Sequence, residues 1–570
     1  MNTQTNPNAA PLFRVERALL FGKLIMLGVT VWAWTIIGGY WMLWAGITAM
    51  VGWSIAVTLN RYRLGKLYEQ INEQLRFEAE THISGKTTRL VQSGDAIIQT
   101  LSGRIGHFIG ALDHRLLFYN PWGTKGSHVG VFGRARSGKS STSCLGTLLN
   151  IFNVIGQVKH SVWINDCKAE LYFVSSAIRR WLGQRVIALN GFGVKGVQVD
   201  TFNPFDPVVD AVVLGNGEAH EWADINAQGM ILEEESQRGN DFIFRENARR
   251  LLITFILYLA CYKPFECNPC RLRQLVMASD DELVAIANIM SNSEKEGGLI
   301  KTYGNMLLHD LKPVNQKLFY SFKVECAIAV KIYDDNTAFG RSTMKSTFKL
   351  EDLFHPTKKV ALYQITPQAY LGTHGAYAAL VSTLIIEKMA RLDRRCNLMM
   401  IFDEAGQIKL NQTTFKKAIT LLPSLGLRCI LYYQSFSQLK MLGENMSKLV
   451  LDNLGCLQMW GCDDPDMAKE FSRRSGQTTV KKRSYRKDPE KIDLSWSLSC
   501  DEKEEAVISE TEIMQASDET QFVKITGQRM LKCRRVVFWK VRLWRRVAQP
   551  NPLENPDGSY PETDTVEWEY

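Results

Sequence analysis

The chain has 570 residues, 22% of them charged and 45% hydrophobic, and a formal net charge of +9. That length exceeds one ordinary core, and that balance argues against general disorder. The small positive excess permits contact with nucleic acid or anionic lipid, and twelve scattered cysteines suit a reducing cytoplasm.

Residues 1–18 read as a cytoplasmic N-terminus. From Leu24 to Asn60 no residue is charged, a stretch of 37 residues. That is too long for one membrane span and suits two short ones. The expected spans are Leu19–Ile37 and Trp41–Leu59, turned at Gly38-Gly39-Tyr40, so residues 19–59 form a transmembrane helical hairpin. Trp32, Trp34, Tyr40, Trp41 and Trp44 cluster at the turn as an interfacial belt. Arg14 and Arg17 before the pair, and Arg61, Arg63 and Lys66 after it, place both ends in the cytoplasm.

Residues 60–127 read as an amphipathic connector leading into the first half of a nucleotide-binding domain, 60–217. The apolar run His128–Phe132 then enters Gly133-Arg134-Ala135-Arg136-Ser137-Gly138-Lys139-Ser140, followed by Ser141. A buried strand, a Gly-rich turn and a helix start are what a phosphate cradle needs. The glycines let backbone N–H groups close on the phosphates, Lys139 adds a point charge, and the Ser140 hydroxyl can ligate Mg²⁺. ATP and Mg²⁺ are the expected ligands.

Further apolar runs follow at Ser161–Ile164, Arg185–Leu189, Val360–Ile365, Leu398–Phe402, Arg428–Tyr433 and Leu457–Trp460. Strands alternating with helices predict an α/β fold with a mainly parallel sheet, nucleotide lying at the carboxyl ends of its strands. The rhythm stops between residues 218 and 334, the expected all-α inserted domain. There Arg245–Tyr262 and Val314–Ile332 read as helices, and Ser279-Asp280-Asp281-Glu282 reads as a capping box. The single Cys267-Asn268-Pro269-Cys270 reads as a loop, having no second ligand pair at zinc spacing.

Residues 335–546 form the second half of the nucleotide-binding domain. The run Leu398–Phe402 ends in Asp403-Glu404. An acid closing such a strand holds Mg²⁺ and its neighbour can polarise the attacking water. Arg534, Arg535, Lys540, Arg542, Arg545 and Arg546 alternate with apolar residues and read as strands with basic edges. Residues 547–570, with six carboxylates and no Lys or Arg after 550, read as a disordered acidic tail.

Several of these segments, in order, resemble the TraG/TraD-type coupling proteins of type IV secretion systems. They are the phosphate loop, Asp166-Cys167-Lys168-Ala169-Glu170 (the family's D-x-K-G-E element with Ala169 for Gly), Asn203-Pro204-Phe205, Phe402-Asp403-Glu404-Ala405 and Gln434-Ser435-Phe436-Ser437-Gln438-Leu439. The resemblance implies a RecA-like P-loop ATPase domain with an inserted all-α domain, assembled as an inner-membrane homo-hexamer. Such a protein would feed DNA–relaxase complexes, accessory proteins or effector proteins to the secretion channel. It also implies that Gln434 senses the γ-phosphate or positions water. Many members carry an arginine finger shortly before Gly426; here those positions are Pro423-Ser424-Leu425, and Arg428 is the nearest substitute. Two alternatives stay open: an FtsK-like DNA translocase, and a substrate receptor platform with little ATP turnover.

Overall fold

The structure, a computed structural model, describes residues 25, 28–29, 31–32, 40–80, 88–102, 106–123, 126–150, 158–232, 240–408, 411–461, 463–487, 496–552 and 560. It divides into two compact units. One comprises residues 1–87 with 479–504, and the other 88–478 with 505–570. In the first, a single helix runs unbroken over Tyr40–Glu80. It starts at the expected turn but continues well past Leu59, and its 41 residues span about 60 Å, twice a hydrocarbon core. Trp44, Val51, Ile55 and Leu59 on it are exposed. The expected first span, Leu19–Ile37, lies outside the described residues apart from five isolated helical positions.

Among the described residues the chain has thirteen strands: β1 His107–Leu112, β2 Arg115–Tyr119, β3 His128–Gly133, β4 Ser161–Asp166, β5 Arg185–Leu189, β6 Val360–Ile365, β7 Leu398–Phe402, β8 Leu427–Tyr433, β9 Leu454–Trp460, β10 Gln477–Lys487, β11 Trp496–Ala506, β12 Thr520–Ile525 and β13 Leu531–Arg534. β10 and β11 pair as a separate two-stranded sheet; the other eleven form one sheet in the order β2-β1-β13-β12-β9-β3-β8-β7-β4-β6-β5. From β9 to β5 every neighbouring pair is parallel. β12, β13, β1 and β2 extend it antiparallel.

The parallel strands are buried on both faces, which is why they read as unbroken apolar runs. Alternate residues serve different cores. On one face lie Trp163, Leu398, Met400, Phe402, Leu431 and Tyr433. On the other lie Val162, Ile164, Met399, Ile401, Ile430 and Tyr432.

From Asp206 to Phe354 the elements among the described residues are all helical, a wider stretch than the expected 218–334. Asn240–Tyr262, Asp280–Ser291 and Gln316–Val330 are among them, and Ser279 caps its helix by accepting from Glu282 N. Leu251, Phe255, Leu259, Leu283 and Met290 belong to the same continuous core as Trp163 and Phe402. The helical region therefore shares the core of one sheet face. The buried Asn203 ties it down, donating to Cys267 O at 2.7 Å and to Asp206 at 2.9 Å. Cys267 and Cys270 are buried packing thiols, Cys270 in the first turn of a helix opened by Pro269, and burial pushes the pKa of both upward. The one described helix long and apolar enough to cross a membrane, Gln368–Ala390, is a core helix with 61% of its most apolar stretch buried.

Near the C-terminus the expected run of basic-edged strands holds only to Arg534. Arg542–Val547 is a helix. Arg542, Arg545 and Arg546 follow the i, i+3, i+4 spacing of one helix face, while Trp544 is fully buried with its ring edge-on to Phe108 at 4.8 Å. The expected tail boundary at 547 falls within ordered chain: Gln549 N donates to Val174 O, Asn551 is buried, and Tyr560 stacks on Trp539. The acidic residues themselves lie outside the described residues.

Candidate nucleotide site

β3 sits between β9 and β8 with every residue buried. His128 anchors its start: Nδ1 accepts from Cys429 N at 2.9 Å, and Nε2 lies 3.0 Å from Ile419 O, so the ring is the neutral Nε2–H tautomer. The strand must leave the sheet on a residue without a side chain. A Cβ on Gly133 would meet Ser137 Oγ at 2.9 Å and Trp460 Nε1 at 3.1 Å. Within the turn Arg136 and Gly138 take left-handed φ of 61° and 78°, the kind of reversal that gathers backbone amides on one concave side. Trp460, closing β9, donates to Ser137 O at 3.2 Å, and the Arg535 guanidinium donates to the same carbonyl. These two residues brace the loop from beneath.

Lys139 folds back onto the loop, its Nζ donating to Gly133 O at 2.7 Å and Arg134 O at 3.0 Å. Burial lowers its pKa, while Glu404 and Asp403 oppose that shift. Arg134, Ala135 and Arg136 are exposed, and Arg134 bridges Asp463 and Asp518 at 3.3 and 2.9 Å. Ser141 Oγ closes the turn on Gly138 O at 3.3 Å. Residues Ser140–Cys144 form a π-helical turn, a local widening common at functional sites.

The acids come from β7, which is separated from β3 by β8. Ser140 Oγ lies 3.3 Å from Asp403 Oδ1. An octahedral ion holding two oxygens at about 2.1 Å on adjacent vertices sets them roughly 3 Å apart, so this pair fits Mg²⁺. Asp403 is buried; burial first, then Glu404, Asp166 and Glu170, raise its pKa to about 7, with Lys168 opposing. Glu404 takes a left-handed φ of 61°. Its Oε2 accepts from Gln434 Nε2 at 2.5 Å, and Gln434 N in turn donates to Gln438 Oε1 at 2.8 Å. A Cβ on Gly406 would come within 2.8 Å of the Gln438 side chain, so the turn after Glu404 and the Gln434–Gln438 segment pack in direct contact.

A third strand end completes the cluster. β4 pairs with β7 in parallel, Asn165 opposite Phe402. Asn165 Nδ2 donates to Asp403 O at 3.2 Å, and the Cys167 thiol reaches the same oxygen at 3.6 Å. Asp166 accepts from Lys168 N at 3.2 Å and Tyr172 N at 2.9 Å. It thereby holds the turn into helix Glu170–Trp181, although burial still pushes its pKa up to about 6. Ala169, in the position where the resembling family has Gly, sits at φ 60°, a left-handed conformation that explains a glycine there.

Ser140, Asp403, Glu404 and Gln434 are thus brought together around Lys139. Arg428 is not. It lies at the amino end of β8 while Gln434 follows its carboxyl end. It is 5% exposed, and its guanidinium donates to Pro121 O, to Pro423 O at 2.9 Å and to Leu427 O at 2.7 Å. Trp460 and Arg535 are functional neighbours that sequence reasoning missed. Trp460 was readable as a strand end, but nothing local says that its indole turns under the loop.

No curated protein matches the chain in sequence. Among solved structures, the bacterial conjugative coupling protein TrwB lacking its first 70 residues is similar at 14% identity and a TM-score of 0.53, over 80% of this chain and 89% of that one. TrwB in complex with ADP and Mg²⁺ is similar at 13% identity and TM-score 0.52, over 80% and 90%. TrwB with the non-hydrolysable ATP analogue ADPNP is similar at 15% identity and TM-score 0.52, over 79% and 93%. These likenesses show a shared fold. The sequence profile of the type IV secretory system conjugative DNA transfer family matches residues 84–557, and the chain therefore belongs to that family of type IV coupling proteins.

Proposed function

We propose that this protein is an inner-membrane ATPase that forms a hexameric ring, recruits DNA–relaxase complexes or effector proteins, and feeds them to a type IV secretion channel. The observation that carries the reading is the convergence of Ser140 on Asp403 and of Gln434 on Glu404 beside Lys139. TrwB, of the same fold, binds ADP with Mg²⁺ and an ATP analogue. Exposed Trp44, Val51, Ile55 and Leu59 on the first helix support a membrane anchor.

In this reading Lys139 exchanges its two loop carbonyls for phosphate oxygens. Ser140 and Asp403 would hold Mg²⁺, which would supply charge neutralisation for the phosphates. Glu404 accepts a proton from the attacking water, and Gln434 fixes the carboxylate through its amide. Because Gln434 closes β8 and bonds Glu404 directly, loss of the γ-phosphate would shift the strand that begins at Leu427, linking nucleotide state to the fold. Arg428 is buried with its guanidinium on three backbone carbonyls, which favours, as a second reading, a receptor that turns ATP over slowly.

Glu404→Gln separates the two. The ATPase reading expects nucleotide binding to persist, turnover to fall by about 10²–10⁴-fold, and conjugative transfer to be lost at normal membrane levels of the protein. Turnover within threefold of wild type, on the order of assay scatter against that range, would remove Glu404 from the chemistry. Wild-type transfer without turnover would favour the receptor.

A further inference from the structure

We infer that Lys168 is a second cationic arm of the nucleotide site, placed to engage the γ-phosphate and so to distinguish ATP from ADP. The inference rests on the nucleotide reading above and adds a residue to it from a motif that reading leaves without a role.

β4 and β7 are parallel neighbours, with Asn165 opposite Phe402, so Asp166 and Asp403 leave the sheet side by side. The end of β4 and the turn after it are fixed to the backbone of Asp403, the residue proposed to hold the metal. Asn165 and Cys167 both reach the backbone oxygen of Asp403, at 3.2 and 3.6 Å. Lys168 N is held by Asp166 Oδ1 at 3.2 Å, and Ala169 takes a left-handed φ of 60° before the helix starts. The residues on either side of Lys168, Cys167 and Ala169, are both 1% exposed. The exposed Lys168 side chain thus stands on a rigid turn at the Asp403 edge of the site. It forms no salt bridge with another described residue.

Its charge is felt on both sides of the site. It lies within electrostatic reach of both Asp403 and Lys139. The two lysines approach from different strands, Lys139 from the β3 loop and Lys168 from the β4 turn. Asp403 and Glu404 place two carboxylates beside the loop lysine, where a triphosphate must add more negative charge. One loop lysine and one divalent ion leave that assembly short of positive charge, and Arg428 is spent on carbonyls elsewhere. A flexible ammonium bonding one more phosphate is the chemistry that position can supply.

A lysine that merely offsets the carboxylates would serve ADP and ATP alike, which makes discrimination the deciding measurement. Full-length protein in detergent with Mg²⁺ is titrated with fluorescent ADP and with a fluorescent, slowly hydrolysed ATP analogue. Lys168→Ala should weaken the ATP analogue roughly tenfold or more while ADP changes less than about twofold. Lys168→Arg should restore most of the preference, and Lys168→Gln should behave as the alanine variant with better conserved packing. Equal weakening of both nucleotides, or no change in either, overturns the assignment while leaving the nucleotide site intact. Wild type that binds neither nucleotide overturns the site and this role together.

Discussion

Arg428→Ala tests whether this arginine acts on nucleotide or on the fold. Its guanidinium serves three carbonyls, those of Pro121, Pro423 and Leu427, and joins the turn before β3 to the turn before β8. Trp122 bonds Gly426 O at 2.9 Å across the same junction. Truncation would leave buried acceptors unpaired, at about 1–3 kcal/mol each. Removing a desolvated cation offsets part of that loss, leaving about 3–5 kcal/mol net for three acceptors. For a large unit, where each kcal/mol moves Tm by about 2 °C, the melting temperature should fall by roughly 6–10 °C. Arg428→Lys should recover little, because an ammonium lacks the planar fork that reaches several carbonyls at once. Thermal unfolding of the full-length protein is read beside ATPase turnover measured well below the transition. The expected result is a large fall in Tm with turnover per folded molecule within about threefold, small against the 10³–10⁵-fold of an arginine finger. A loss of turnover on that finger scale with Tm unchanged would refute the argument and make Arg428 a finger serving a neighbouring subunit.

Two further outcomes follow from local geometry. Ala169→Gly relieves a left-handed alanine but removes a buried methyl, so the opposing terms of about 1 kcal/mol each should nearly cancel; Ala177→Gly, inside the same helix, should cost about 1 kcal/mol, and equal losses at both sites would refute the account of Ala169. Stability should also fall on acidification, because burial lowers His107 and His128 to about 4 from 6.5. Unfolded, each histidine binds its proton near pH 6.5; folded, neither does until about pH 4. The stabilisation is therefore intact above pH 6.5 and is lost between 6.5 and 4, by about 3 kcal/mol per histidine. Denaturant unfolding of wild type and of His128→Gln across that window should show a shallower pH slope in the variant, and identical slopes would mean that His128 is not held neutral.

The parallel half of the sheet was legible because a strand buried on both faces needs no partner to be recognised. Met399 and Ile401 face one core and Met400 and Phe402 the other, and the run is apolar throughout. The antiparallel extension was not. β1 and β2 turn at Asp113-His114, with Asp113 at φ 53°, and that pair lacks the Asn-Gly or Asp-Gly signature of a tight hairpin. The basic stretch before Val547 was read with the wrong period, since alternation and an i, i+3, i+4 face share several positions and only the buried Trp544 decides between them. The helical insertion was visible as a break in strand rhythm, but its shared core with Trp163 and Phe402 depends on contacts between distant segments.

The site divides along the same line. The phosphate loop is local, so its glycines and Lys139 can be read from eight residues. Asp403, Glu404 and Gln434 close their strands, and in a parallel sheet all such ends meet at one edge. The bracing of Ser137 by Trp460 and Arg535 draws on residues more than 300 positions away and leaves no local trace. Arg428 is the instructive failure, because the information that excludes it from its own subunit's site is present in the strand. It stands six residues before Gln434 on a chain rising about 3.3 Å per residue, so the two are separated by about 20 Å, the length of the strand itself. A charged residue that opens a parallel strand faces the pole opposite the nucleotide, and its partners must be sought among the turns that enter the sheet. For Arg428 those partners are the carbonyls of Pro121, Pro423 and Leu427.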